Sequence, residues 1–388
     1  MNGERVAILH GGGPTAVLNA SLYGVLTEAA RHSEIEAVYG AWGGTGGALK
    51  DRWIDLTAIP LKQLQQLPFS PASAIGTSRD PLDAEAYERL VAALQKQGIT
   101  IALMNGGNGT MDACGKLAKA GRRAGIRVMG IPKTMDNDIA VTDHSPGFGS
   151  VARYMAGTVS ELCADVHSLP IHVVVLEALG RNAGWTTAAA ALAGDGFAPG
   201  PDLLYVPEVP FSEERFLEDV TQKLKKKRGL VVVASEGLCG EDGKPIVSPV
   251  FQSGRATYFG DVSAHLAGLV IQKLGYKARS EKPGIVARAS IAWQSPVDRE
   301  EAARVGAEAL KAALSGQSGQ MVALERVSDE PYESRCFLTP VEKVMLTERK
   351  LPLEYLNSER NGVSQAFLRW CRPLIGPPIP NLVTFQPD

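Results

Sequence analysis

A two-lobed, largely parallel α/β fold is what the sequence predicts, and three units of strand, glycine loop and helix predict it. Val6-Ala7-Ile8-Leu9 is a short apolar run that meets His10-Gly11-Gly12-Gly13-Pro14-Thr15, after which Val17, Leu18, Leu22, Val25, Leu26 and Ala29 recur at helical spacing. The order returns at Ile101-Ala102-Leu103-Met104, Gly106-Gly107-Asn108-Gly109-Thr110 and a helical stretch over 111–123, with a further strand over 126–130. It returns again at Val173-Val174-Val175-Leu176, Gly180-Arg181-Asn182-Ala183-Gly184 and an alanine-rich helix over 185–193. Parallel strands need helical crossovers, so this alternation points to Rossmann-like sheets with flanking helices.

The later elements keep the pattern. Leu203-Leu204-Tyr205-Val206 and Leu230-Val231-Val232-Val233-Ala234 read as strands, with a helix over 212–227 between them that starts on Ser212 as N-cap. Residues 261–274 and 298–314 read as helices and 320–326 as a strand. A helical segment over 150–166 would carry the chain out of a first lobe, which places domains at 1–164 and 165–328, with 329–388 packing back onto them.

Composition excludes several classes of function. The chain has 388 residues, 40 basic and 42 acidic side chains and a net charge of −2, so no broad cationic field exists for nucleic acid or an anionic membrane. Five separated cysteines form no CxxC pair, which argues against a disulfide framework or a zinc site and for reduced, buried thiols. No leader-like segment precedes the first strand and no apolar run is long enough to cross a bilayer, so a cytoplasmic protein is expected.

A glycine loop between a strand and a helix aims backbone N–H groups and the positive end of the helix dipole at one point, which favours phosphate oxygens. Neither loop of the first lobe is a Walker A loop: the stretch from Gly109 to Gly115-Lys116 has one residue too many between its glycines, and Leu117 stands where a magnesium-binding hydroxyl belongs. Neither is a GxGxxG dinucleotide loop. The sharpest segment is Gly130-Ile131-Pro132-Lys133-Thr134-Met135-Asp136-Asn137-Asp138-Ile139, where a strand end supplies one cation, one hydroxyl and two carboxylates. One carboxylate can take a proton from an attacking hydroxyl, the second can help hold a metal, and lysine with threonine can neutralise charge on a transferred phosphoryl group. The bland reading of the same residues is an acidic turn.

With these residues in place the chain resembles the phosphofructokinases. The likeness rests on Gly11-Gly12-Gly13 with Asn19, Gly76-Thr77-Ser78-Arg79, Gly106 to Thr110, Pro132 to Asp138, Thr142-Asp143-His144, Pro146 to Ser150, Leu179 to Trp185, Ser235-Glu236-Gly237, and Arg279 with Arg288. It implies a Mg²⁺-dependent glycolytic enzyme that phosphorylates the 1-hydroxyl of fructose 6-phosphate in a cleft between the lobes, as a homodimer or homotetramer. By the same resemblance Asp136 is the general base, and Thr134 and Lys133 act on the transferred phosphoryl group. Gly11, Arg79, Gly107, Asn108, Gly109 and Thr110 bind the donor, with Asn108 also at the metal in place of the usual aspartate. Thr134, Asp136, Asp138, His172, Leu179, Gly180, Arg181, Glu236, Arg279 and Arg288 face the sugar phosphate.

The donor divides the family. Gly109 leaves open the space that an aspartate would deny to the α-phosphate of ATP, whereas Lys133 resembles the lysine of diphosphate users. The donor adopted from sequence is ATP, with diphosphate as the alternative. The same motifs also fit a kinase for another ketose phosphate, such as sedoheptulose 7-phosphate, or a non-catalytic sensor of a sugar phosphate or nucleotide. His172 bears on the choice of sugar, because many ATP enzymes have an arginine there. A hydrolase built on His10-Gly11-Gly12-Gly13 lacks any GxSxG elbow to supply a nucleophile.

Overall fold

The computed structural model describes residues 3–169, 173–196, 199–253 and 256–385. The strands in chain order are β1 (Glu4–His10), β2 (Ile35–Ala41), β3 (Trp53–Asp55), β4 (Ile101–Gly106) and β5 (Arg127–Pro132), then β6 (Val173–Ala178), β7 (Leu203–Tyr205), β8 (Leu230–Ser235), β9 (Pro249–Ser253), β10 (Ala256–Phe259) and β11 (Ala278–Glu281); β2, β3, β9, β10 and β11 are not expected from sequence. A long hairpin of β12 (Gln320–Asp329) and β13 (Tyr332–Pro340) follows. The chain divides into two compact units, Met1–Ser150 with Arg288–Arg349, and Val151–Ala287 with Lys350–Asp388. This differs from the boundaries expected near 164 and 328. Residues 288–328 return to the first unit because β12 pairs with β5, Gln320 opposite Met129 and Met321 opposite Gly130.

In the first unit the strand order is β13-β12-β5-β4-β1-β2-β3, with parallel pairing from β12 to β2 and antiparallel strands only at the two edges. Both faces are covered, which is why residues 6–9 of β1 and 101–104 of β4 are continuous apolar runs rather than alternating. Ala7, Leu9, Ala102 and Met104 pack on one face with Leu90, Leu94, Cys114 and Leu117 of the helices Ala84–Lys96 and Asn108–Gly121. Val6, Ile8, Ile101 and Leu103 pack on the other with Leu22, Val25, Val305 and Ala309 of the helices Leu18–Ala29 and Pro296–Leu314. Those last two helices touch backbone to backbone: a Cβ on Gly24 would stand 1.8 Å from Ala303 O, and one on Gly306 2.1 Å from Ser21 O.

The second unit carries a parallel sheet of order β11-β6-β8-β7 and a separate antiparallel ribbon, β9 with β10. Ser212 caps the helix Glu213–Leu224 as expected, its hydroxyl accepting from Arg215 N at 3.3 Å, but the helix stops three residues short of Lys227. The helix expected over 261–274 is α-helical over Val262–Leu269 and widens to a π turn over Val270–Leu274, where Gly275 ends it at φ 69°. The alanine-rich stretch is shorter than expected, Trp185–Ala189 followed by a 3₁₀ turn. From the C-terminal segment Trp370 packs on Trp185, with ring centroids 4.9 Å apart. All five cysteines are free, and Cys114, Cys163 and Cys371 are buried. Among the described residues no helix is long and apolar enough to cross a membrane.

The glycine contact between the two helices of the first unit gives a stability prediction. Gly24→Ala forces helix against helix through immovable backbone and should cost about 1–3 kcal/mol, read as a lowered melting temperature. An unchanged melting temperature would show that the helices slide apart freely.

Candidate active site

Three neighbouring parallel strands of the first unit, β1, β4 and β5, end in one row. His10 lies opposite Asn105, and Gly106 opposite Pro132. Gly11 N donates to Asn105 O at 2.9 Å and Lys133 N to Gly106 O at 3.0 Å, so both glycine loops and the lysine loop leave the sheet together. The loops meet so closely that side chains would collide: a Cβ on Gly11 would stand 2.3 Å from Thr110 Oγ1, and one on Gly106 2.6 Å from Gly11 O. Gly12 turns at φ 76°, a conformation glycine adopts without strain. The helix Asn108–Gly121 starts at the second loop with Gly107 as N-cap, placing its unpaired N–H groups there.

A third loop brings an arginine to the same place. Gly12 N donates to Ser78 O at 2.9 Å and Thr77 Oγ1 to Gly12 O at 2.8 Å, which ties the segment containing Arg79 to the first glycine loop. A Cβ on Gly13 would stand 2.7 Å from Arg288 Nη1 and 3.2 Å from Arg79 Nη2, so both guanidiniums converge on the space glycine leaves. Lys133 is buried at 3% exposure, and its ammonium donates to Gly11 O at 3.3 Å and to Gly13 O. Its pKa is pushed down to about 8, by burial first and then by repulsion from Arg288 and Arg79, with Asp136 and Asp138 opposing. The cavity beside these groups measures about 290 Å³ and is lined by Gly11, Gly12, Arg79, Gly107, Gly109 and Thr110 among others. A Cβ on Gly109 would meet nothing within 4 Å. His10 sits beneath, fully buried with Nδ1 2.8 Å from Ser73 Oγ, and burial together with Lys133 pushes its pKa down to about 3, so it stays neutral.

The carboxylates lie next to this cation cluster. Thr134 is buried and its Oγ1 accepts from Asp136 N at 3.1 Å, which fixes the turn that presents the half-buried Asp136. Asn108 Nδ2 donates to Asp138 Oδ2 at 2.9 Å and to Asp138 O at 3.2 Å. The remaining oxygens, Asn108 Oδ1 and Asp138 Oδ1, are buried without a partner among the described residues. Burial raises the Asp138 pKa, with hydrogen bonds from Thr134 and Asn108 pulling the other way. Two orphaned oxygens suit a hard divalent cation that keeps most of its water or shares phosphate oxygens. Among the described residues no cluster of three or more His, Cys, Asp or Glu could hold a metal alone.

The second unit groups other expected residues. The Gly180 loop packs on the end of β8: Ser235 Oγ donates to Gly180 O at 2.8 Å, Gly180 N to Glu236 Oε1 at 3.2 Å, and a Cβ on Gly237 would stand 1.6 Å from Arg181 O. Arg181 is thereby set beside Glu236, with its guanidinium 5.5 Å from the Phe259 ring centroid. Leu179 is half-buried at the end of β6. Burial raises the Glu236 pKa, while the Gly180 N–H and Arg181 lower it. Arg279 lies exposed on β11 opposite Val174, and Arg288 belongs to the first unit, so the expected arginine pair is divided between units. His172 lies outside the described residues. Sequence reasoning missed Glu208, whose carboxylate accepts from Gly184 N at 2.9 and 3.1 Å and from Leu351 N at 2.8 Å, bracing the 180–184 loop. It also missed Asp298, which accepts from Gly147 N and Ser150 N, each at 2.8 Å. A buried acid within an apolar helix face is the signal that could have found Asp298.

Parallel strand ends, glycine loops and a buried ammonium beside two carboxylates define an α/β phosphotransferase. The chain belongs to the phosphofructokinase family, whose sequence profile matches residues 5–313. It is 36% identical to the pyrophosphate–fructose 6-phosphate 1-phosphotransferase of Halomonas elongata, covering 94% of this chain and 90% of that one. It is also 36% identical to the enzyme of the same name from Xanthomonas campestris, covering 97% and 92%. The crystal structure of the pyrophosphate-dependent phosphofructokinase from Marinobacter aquaeolei superposes with a TM-score of 0.87 at 33% identity, covering 99% of this chain and 93% of that one.

A titration of the cation cluster follows from the burial of Lys133. Sulfate, which does not itself titrate in this range, should bind progressively more weakly as pH rises through about 8, by at most about tenfold per pH unit and levelling off at the weak affinity of the neutral lysine. Lys133→Met should bind sulfate weakly and without that dependence. Equal wild-type affinity on both sides of that pH would remove the ammonium from the anion site.

Proposed function

We propose that the protein transfers a phosphoryl group between diphosphate and the 1-hydroxyl of fructose 6-phosphate, forming fructose 1,6-bisphosphate and phosphate. This takes the diphosphate alternative over the ATP donor adopted from sequence, because both relatives named above and the superposed structure carry pyrophosphate in their names. The observation that carries the reading is Lys133, an ammonium buried against the first glycine loop where Arg79 and Arg288 also converge. Three cations suit a small polyanion without a nucleoside, and a cavity of about 290 Å³ is at the small end for larger ligands. The open space at Gly109 permits a nucleotide as well.

In this reading Asp136 takes the proton from the sugar 1-hydroxyl as the oxygen attacks the near phosphorus of diphosphate. The bridging P–O bond breaks, and phosphate leaves with its new charge facing Lys133 and Arg79. Thr134 orients Asp136 through its backbone N–H. Mg²⁺, when bound through Asn108 and Asp138, would neutralise phosphate charge. Sugar contacts by Leu179, Gly180, Arg181, Glu236 and Arg279 complete the proposal, as do a homodimer or homotetramer and a cytoplasmic location.

Purified protein should form fructose 1,6-bisphosphate with diphosphate and not with ATP alone; activity with ATP only would reverse the donor assignment. Asp136→Asn should lower kcat by about 10²- to 10⁴-fold with little change in folding or KM. A variant that turns over normally would remove the base.

A further inference from the structure

Behind the loop that presents Asp136 lies a polar cluster that the proposed chemistry does not use. His144 is 1% exposed, with Nε2 2.6 Å from Glu301 Oε2 and Nδ1 2.8 Å from Asp143 Oδ2. Ionised carboxylates have no proton to give, so each ring nitrogen supplies its own and the ring is an imidazolium. Burial alone would lower its pKa, but attraction to Glu301 and the hydrogen bond to Asp143 outweigh it and raise the value to about 9. The other groups facing the cluster come from three elements. Tyr332 Oη donates to Glu301 Oε1 at 2.7 Å, as does the Ser334 hydroxyl, and Arg304 of the same helix as Glu301 approaches that oxygen at 3.5 Å. Arg326 of β12 reaches Asp143 Oδ2 at 3.3 Å through Nε and 3.2 Å through Nη2.

The residues that follow His144 hold both flanks of the base. Pro146 O accepts from Thr134 N at 3.1 Å, and Ser145 N donates to Asn137 Oδ1 at 3.0 Å. Thr134 in turn fixes Asp136 N, and Asn137 turns the chain just after Asp136 at φ 53°. We propose that His144 is a positioning residue for the base: clipped between Asp143 and Glu301, it anchors Ser145 and Pro146 to the helix Pro296–Leu314, and they hold Asp136 in its working place. The same helix holds the other end of the segment, where Asp298 accepts from Gly147 N and Ser150 N.

This rests on Asp136 as the base, and the test separates the two claims. His144→Ala, His144→Gln and Glu301→Gln are assayed with fructose 6-phosphate and diphosphate, after circular dichroism and thermal melts have established which are folded at the assay temperature. The expected result is a kcat lowered by about tenfold or more with both KM values nearly unchanged, since a displacement of about 1 Å can cost 10²-fold. His144→Gln, which keeps an N–H toward Glu301, should lose less than His144→Ala. Because the defect acts through one carboxylate, adding Asp136→Asn to Glu301→Gln should slow the enzyme no further than Asp136→Asn alone. Unchanged kcat in a folded variant, a loss confined to KM, or additive losses would overturn the positioning role. If His144→Ala does not fold, the two milder variants decide the question. A wild type inactive with these substrates would overturn the catalytic reading instead.

Discussion

An ammonium buried against backbone carbonyls, with two guanidiniums nearby, is the constraint on which the first unit depends. Lys133 gives up bulk water for Gly11 O and Gly13 O, and Arg79 and Arg288 crowd the same loop. Like charges so placed repel one another, and the depressed lysine pKa expresses that strain together with the loss of solvent. An arriving polyanion relieves both. The arrangement is therefore built for occupancy, and phosphate is the anion whose geometry matches glycine-loop N–H groups at a helix start.

The sheet makes the constraint tolerable. Parallel pairing of β1, β4 and β5 brings three strand ends to one edge, and glycine at 11 and 106 lets their loops approach within the width of a methyl group. Rigid helices on both faces fix the edge, and the backbone contact at Gly24 and Gly306 locks two of them together. Functional groups on the loops thus inherit the precision of the core.

Much of this was legible from local pattern. Strand, glycine loop and helix recur in sequence, and Lys133, Thr134, Asp136 and Asp138 stand within six residues of one another, so spacing alone brings them together. What was not legible depends on distant partners. The return of β12 to β5 joins residues nearly two hundred positions apart and moves the unit boundary, and it carries Glu301 toward His144. Arg279 and Arg288, paired by the family resemblance, fall in different units, which their nine-residue spacing does not reveal. The choice of donor was only half legible, since Gly109 leaves room for a nucleotide while Lys133 speaks for diphosphate, and the burial of that lysine could not be read from its neighbours in sequence.

A crystal soaked with methylenediphosphonate, a diphosphate analogue that cannot transfer its phosphoryl group, tests the central claim most directly. The account predicts one phosphonate seated at the Gly11–Gly13 and Gly107–Thr110 loops, with an oxygen about 3 Å from Lys133 Nζ and others facing Arg79. A phosphonate bound elsewhere, or one seated there with the Lys133 ammonium turned away, would contradict it.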